Sequence, residues 1–149
     1  LQIGGAPVGI ELGQYSFSGT TGSDGDGSIM IVVATNAPLS ARNLERVARR
    51  SIMGLARTGS FASNGSGDYV IAFSTASDVR RSTNSGVSSY EDLSNTSMSG
   101  LFAATVEATE ESIYNSLFKA ETVTSNGRTV EALPLEAALE VLRRFGTVR

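Results

Sequence analysis

Cysteine and histidine are both absent from this chain of 149 residues. Without cysteine there is neither a disulfide scaffold nor a thiolate nucleophile. Without histidine, neither a Ser-His-Asp triad nor a Cys-His pair can be built from this chain alone, and the commonest zinc ligand is missing. Any chemistry here therefore requires a base other than imidazole, or a base from another chain.

The chain also lacks a strong charge and a long apolar run. Its net charge of −3 does not point to a nucleic acid or an anionic membrane as partner. No apolar run reaches the length of a membrane span, and the N-terminus does not resemble a signal peptide. Because the sequence begins at Leu1 rather than at Met, we expect an upstream part of the gene product to precede it. The compartment, cytoplasmic or periplasmic, stays open.

Two apolar runs predict strands that are buried on both faces, at residues 29–34 and at Tyr69–Ser74. A shorter strand is expected near Val8–Leu12. The ten residues 18–27 contain no apolar side chain and predict a loop or linker. A second, Ser-rich loop is expected over residues 82–99.

Three helices are predicted from apolar side chains at helical spacing. The first follows Ser40, a suitable N-cap, and ends before Gly59. Its arginines at positions 42, 46, 49 and 50 favour a solvated face over an anion-binding patch. The others span residues 98–119 and 135–145, and Asn126-Gly127 between them predicts a hairpin turn. Helices and buried strands together indicate helix-on-sheet layers in an α+β fold.

Ser28 lies where a polar loop meets a buried strand. Gly27 before it permits a strained backbone, which suits attack by the Ser28 hydroxyl on the carbonyl of its own preceding residue. Hydrolysis of the resulting ester would expose Ser28 as a new N-terminus. Its α-amine, with an ordinary pKa of about 7.7–8.0, would then supply the missing base. By itself, however, a Gly-Ser step before a strand is far more often an ordinary connection.

A second group of candidate residues precedes the second strand, in the segment that contains Ser66 and Asp68. Gly65 and Gly67 flank Ser66, which suits presentation of its hydroxyl on a tight turn. In an extended backbone, Asp68 lies on the same side as Ser66 and can accept a hydrogen bond from it. The spacing alone favours an ordinary turn in which Asp68 accepts from backbone amides.

These segments resemble one family across nearly the whole chain from Pro7 onward. The family is that of the self-processing L-aminopeptidase D-amidase/esterases, which includes the β-aminopeptidases. The resemblance lies in residues 27–35 with 37–39, residues 55–59 with 63–69, and residues 108–117 with 132–135.

The resemblance implies a four-layer αββα sandwich, of which this chain supplies the C-terminal part. It implies cleavage of the Gly27–Ser28 bond, so that residues 1–27 are the tail of an α subunit and residues 28–149 are the β subunit. Ser28 corresponds to the nucleophile, and Ser66 and Asp68 correspond to its assisting serine and carboxylate. The implied partners are an α subunit from the same precursor, further α/β pairs in an oligomer, and a small peptide or amide substrate. No metal or other cofactor is implied.

Two other functions remain open at this point. Ornithine acetyltransferases resemble the same fold but use Thr as nucleophile, whereas this chain has Ser28. The other alternative is a catalytically silent relative that acts as a binding or structural module.

Overall fold

The computed structural model describes residues 1–13, 27–83 and 86–148. The predicted linker over residues 18–27 therefore lies, apart from Gly27, outside the described residues. The helices and strands are α1 (Val8–Glu11), β1 (Met30–Thr35), α2 (Ala41–Arg57), β2 (Tyr69–Ser74), α3 (Met98–Phe118), β3 (Val123–Ser125), β4 (Arg128–Val130) and α4 (Leu135–Arg144). Single 3₁₀ turns lie at Ser77–Val79 and Asn95–Ser97. The described residues thus form a mixed α/β structure.

Strands β1 and β2 form a parallel pair, and α2 is the crossover between them. The two strands start and end together, because Met30 pairs with Tyr69 and Thr35 pairs with Ser74. The predicted N-cap of α2 is confirmed, since the Ser40 hydroxyl accepts from the Asn43 amide at 3.3 Å. Asp92 Oδ1 adds a second cap by accepting from the Ser40 amide at 2.8 Å. This βαβ unit places the N-terminal ends of both strands at one edge of the sheet.

One face of the sheet formed by β1 and β2 is partly buried, and the other face is exposed. On the partly buried face Val33 and Ala72 pack against a core formed by Leu39, Val47 and Met98. On the other face every second side chain of both strands is exposed, as in Met30 and Val32, each 65% exposed. The prediction of strands buried on both faces is therefore wrong for the described residues. The apolar runs therefore leave a continuous apolar surface on this face of the two strands.

Helices α2 and α3 pack closely where α2 carries a glycine. A Cβ on Gly54 would lie 2.5 Å from the Val106 carbonyl oxygen and 2.8 Å from Thr109 Cβ, so no larger residue fits without displacement. On the outer side of this helix pair, the guanidinium carbons of Arg46 and Arg50 lie 5.0 Å and 4.0 Å from the centroid of the Phe102 ring. These two arginines thus cover an aromatic side chain of the neighbouring helix.

A second core joins the two ends of the chain. Its buried side chains come from the first eight residues and from α4, and are Ile3, Ala6, Val8, Ala138, Val141 and Leu142. The strand predicted near Val8–Leu12 is wrong, because this segment forms α1, with the Leu12 amide donating to the Val8 carbonyl at 3.0 Å. An ion pair between Glu11 and Arg144 closes the contact on the surface. Residues 1–13 are therefore held against the C-terminal helix.

The predicted hairpin is confirmed. Strands β3 and β4 are antiparallel, and the turn residues Asn126 and Gly127 have φ values of 51° and 75°. Positive φ at both positions is the reason this turn favours Asn-Gly. Among the described residues, no helix combines the length and apolarity needed to cross a bilayer.

Candidate active site

Ser28 lies at the edge of the sheet, two residues before β1, and its side chain is exposed. Its Oγ accepts a hydrogen bond from the Gly67 amide, with an N–O distance of 3.1 Å. A hydroxyl that accepts from a fixed amide keeps its own proton free to be removed. The backbone of the loop before β2 therefore orients the Ser28 oxygen.

Ser66 lies in that same loop, directly before Gly67. A turn closed by the Ser66 amide and the Ser63 carbonyl, 2.9 Å apart, directs its side chain toward residues 27 and 28. Ser66 Oγ lies 2.7 Å from the carbonyl oxygen of Gly27 and 2.8 Å from Asp68 Oδ1. Because a serine hydroxyl has one proton, it donates to only one of these two acceptors at a time.

Strand register brings these residues together. The first paired residues of the two strands are Met30 and Tyr69. The Tyr69 amide also donates to the carbonyl of Ile29, the residue before Met30, at 3.0 Å. Parallel strands that begin at the same edge place the residues preceding them side by side. The three candidate side chains of the sequence analysis, Ser28, Ser66 and Asp68, are therefore neighbours.

Around Gly27 the described residues leave open space, because a Cβ built on it would meet none of their atoms within 4 Å. The feature that matters at this position is the carbonyl group, which accepts from Ser66. A carbonyl donated to in this way is polarised toward attack at its carbon.

The sequence did not indicate that the Gly67 amide orients the Ser28 oxygen. This amide contacts the Ser28 oxygen, but a backbone donor leaves no side-chain signature in a sequence. The flanking glycines of Ser66 were visible and pointed only to a tight turn. Space is also limited there, because a Cβ at residue 67 would lie only 3.3 Å from Cε2 of the Tyr69 ring.

Tyr114 and Asp92, which both lie outside this cluster, have shifted pKa values. Burial and a hydrogen bond to Glu110 raise the pKa of Tyr114 to about 12. Partial burial acts to raise the pKa of Asp92, but hydrogen bonds from Ser40 and Asn43 outweigh it and lower that pKa. In the ranges that the structure describes, no group of three or more acidic side chains is placed to hold a metal ion.

A pocket of about 480 Å³ lies at the opposite end of the sheet. It is lined by the start of α2, by the end of β2 at Phe73 and Ser74, and by Arg81 and Tyr90. Because Ser28 precedes the first residue of β1, the length of the strand separates this pocket from the serine cluster. The pocket is therefore not part of the candidate active site.

Comparisons with known proteins give similar proteins over most or all of this chain. Residues 1–130 match the model of peptidase family S58. Beta-peptidyl aminopeptidase BapA of Sphingosinicella microcystinivorans is 40% identical over the whole of this chain, which covers 41% of that protein. The chain thus spans about two fifths of the length of this relative.

Two solved structures are similar throughout. A crystal structure of a Pyrococcus horikoshii OT3 protein superposes with a TM-score of 0.83 at 44% identity, over 98% of this chain and 39% of that one. The L-aminopeptidase D-Ala-esterase/amidase of Ochrobactrum anthropi, described as a prototype serine aminopeptidase with a variant of the Ntn hydrolase fold, gives 0.81 at 32% identity, over 100% and 40%. On the family match and on the relatives that cover it fully, the chain belongs to peptidase family S58.

Proposed function

We propose that this chain is the C-terminal part of a self-processing serine aminopeptidase or amidase whose nucleophile is Ser28. The observation that carries the proposal is the pair of contacts across the Gly27–Ser28 bond. The Gly67 amide donates to the Ser28 oxygen, and the Ser66 hydroxyl donates to the Gly27 carbonyl. One contact orients the attacking oxygen, and the other withdraws electrons from the carbonyl to be attacked.

The processing step is an N-to-O acyl shift. Ser28 Oγ forms a bond to the Gly27 carbonyl carbon while negative charge develops on the carbonyl oxygen, where Ser66 donates. The C–N bond then breaks, and the proton lost by the hydroxyl ends on the new α-amine. Water hydrolyses the ester, which leaves a carboxylate on Gly27 and a free N-terminal Ser28.

The same serine then acts on substrates. Its α-amine, with an ordinary pKa of about 7.7–8.0, accepts the proton of its own hydroxyl near neutral pH. Ser28 Oγ attacks the scissile carbonyl, the amine or alcohol product leaves, and water clears the acyl-enzyme. Ser66, released from the Gly27 carbonyl, and Asp68 orient the amine. This assignment gives a working base to a chain without histidine.

The substrate class follows from the relatives rather than from the described geometry. One relative is named as a β-peptidyl aminopeptidase and another as an L-aminopeptidase and D-Ala-esterase/amidase. We therefore assign peptides, amides and esters with a free amino terminus as substrates, and leave L-, D- and β-amino acids as the series to be compared.

The subunit boundary falls at the same bond. Residues 1–27 are the tail of the α subunit and residues 28–149 are the β subunit. The shared core of Ile3, Ala6 and Val8 with α4 supports continued attachment of the tail after cleavage. In this assignment the two products do not separate.

The partner is the upstream part of the same precursor. Support comes from the exposed apolar face of β1 and β2 and from the relatives, which are more than twice as long as this chain. A second sheet and helix layer on that face would complete a four-layer αββα sandwich. The upstream part would also complete the substrate pocket.

Intact mass and N-terminal sequencing of the purified gene product, expressed with the sequence that precedes Leu1, test the proposal. We expect a fragment that starts at Ser28-Ile29-Met30 and hydrolysis of aminoacyl p-nitroanilides. Ser28→Ala should abolish both. Ser116→Ala, which removes an exposed hydroxyl on α3, is the matched control. It should retain both processing and hydrolysis. Processing and hydrolysis by Ser28→Ala would refute the proposal.

A further inference from the structure

Tyr69 is the first residue of β2 and lies beside the serine cluster. It pairs with Met30, the first residue of β1, and its side chain is 62% exposed on the uncovered face of the sheet. Because Tyr69 is the first residue of its strand and lies at the end of the sheet that carries Ser28, its ring is available for contact with a bound group even when a second sheet covers the rest of this face.

The Tyr69 ring and the Ser28 hydroxyl border the same small space. The centre of this space is the point that a Cβ on Gly67 would occupy. The ring atom Cε2 lies 3.3 Å from that point, and Ser28 Oγ lies 3.5 Å from it. A side chain at residue 67 would fill the space, so the glycine keeps it open. The nucleophile and the ring edge therefore both lie close to Gly67.

An acyl group bound to Ser28 starts at Oγ, which borders the same point as the ring edge. Its carbonyl carbon is bonded to Oγ, and an apolar side chain on the next carbon is long enough to reach the ring edge. Contact with an aromatic wall favours apolar groups, because both surfaces are removed from water. A glycyl group offers no side chain for this contact.

We propose that Tyr69 is a specificity-determining residue, which favours substrates whose N-terminal residue has an apolar side chain over glycyl substrates. The inference rests on the proposed role of Ser28 as nucleophile. Contacts of this size change discrimination between substrates by about 10-fold or more. Removal of the ring should lower that discrimination while Ser28, Gly67 and Ser66 stay in place.

The test compares kcat/KM for two p-nitroanilides on the full gene product. One is glycyl p-nitroanilide, and the other carries the apolar residue, from the L, D or β series, that the wild-type enzyme hydrolyses fastest. Tyr69→Ala should lower the apolar-to-glycyl ratio about 10-fold. Tyr69→Phe, which keeps the ring, should leave the ratio unchanged. Ile71→Ala, on the same exposed face one side chain further along β2, should also leave it unchanged.

An unchanged or increased ratio for Tyr69→Ala overturns the inference, and so does an equal fall for Ile71→Ala. If Tyr69→Ala does not fold, Tyr69→Thr removes the ring from a residue type that suits a strand, and the same ratio is measured. Failure of the proposed function gives a different result. In that case Ser28→Ala retains the wild-type hydrolysis, or the wild type has none, and the inference falls with the function.

Discussion

Replacement of Ser66 by Ala should slow self-processing, because it removes the donor to the carbonyl that is attacked. The Ser66 hydroxyl lies 2.7 Å from the Gly27 carbonyl oxygen and 2.8 Å from Asp68 Oδ1. In Ser66→Ala both the Gly27 carbonyl and the Asp68 carboxylate lose the contact with this hydroxyl. The Gly67 amide still contacts Ser28, so the attacking oxygen keeps its orientation.

The size of the effect follows from the role of the donor. Removal of one donor to a developing oxyanion lowers a rate by about 10²–10³, or roughly 2.7–4 kcal/mol. Two features indicate that the loss of Ser66 lowers the rate by an amount at the lower end of this range. Its single proton is shared between two acceptors, and Gly27 is exposed, so that water can partly replace the donor. We expect processing to slow about 100-fold. Stability should change by only about 1 kcal/mol, the usual net contribution of one hydrogen bond.

A time course of intact mass after a short pulse of synthesis measures the fraction of precursor that is cleaved. Ser66→Thr is the matched variant, because it keeps a hydroxyl at this position. Ser66→Thr should process faster than Ser66→Ala. This difference would separate the effect of the hydroxyl from a general disturbance of the loop. Cleavage of Ser66→Ala at the wild-type rate would show that the contact with Gly27 does not assist the reaction.

Two further predictions concern stability. Gly54→Ala should cost about 1–2 kcal/mol in denaturant unfolding, because overpacking against α3 exceeds the gain in helix propensity. The control is Gly100→Ala, in α3, where an added Cβ meets nothing within 4 Å, and it should stabilise the protein slightly. Equal effects of the two substitutions on the free energy of unfolding would contradict the packing argument. Asp92→Asn should destabilise at neutral pH. Because the pKa of Asp92 is lowered in the folded state, its stabilising effect is present above the unfolded pKa and disappears as the pH falls through the folded value. The difference between Asp92→Asn and wild type should therefore narrow in unfolding measured toward pH 3, and a difference independent of pH would refute this reasoning.

Local patterns predicted most of the secondary structure. The second strand has the bounds Tyr69–Ser74 that its apolar run indicated, and Ser40 caps the helix after the first strand. The turn at Asn126-Gly127 is present for the same reason. These features depend on a few neighbouring residues, so their causes lie within the local sequence.

The wrong predictions concern segments whose structure depends on distant parts of the chain. The segment at Val8 resembled a strand, but the described part of the chain places no strand beside it, and it forms a short helix against α4. The apolar run of β1 predicted burial on both faces, yet Met30 and Val32 are exposed in the described residues. An apolar run indicates that something covers it and does not say which part of the protein does so.

For the candidate site, the sequence by itself determined the residue types and the constraint on the mechanism. The absence of histidine and cysteine required another base, and Ser28, Ser66 and Asp68 were visible as candidates. Only the tertiary structure decided that Ser66 faces the Gly27 carbonyl and that the Gly67 amide faces Ser28, contacts between residues 39 positions apart. The physical reason is the parallel register of β1 and β2, which places the two preceding loops side by side at one edge of the sheet.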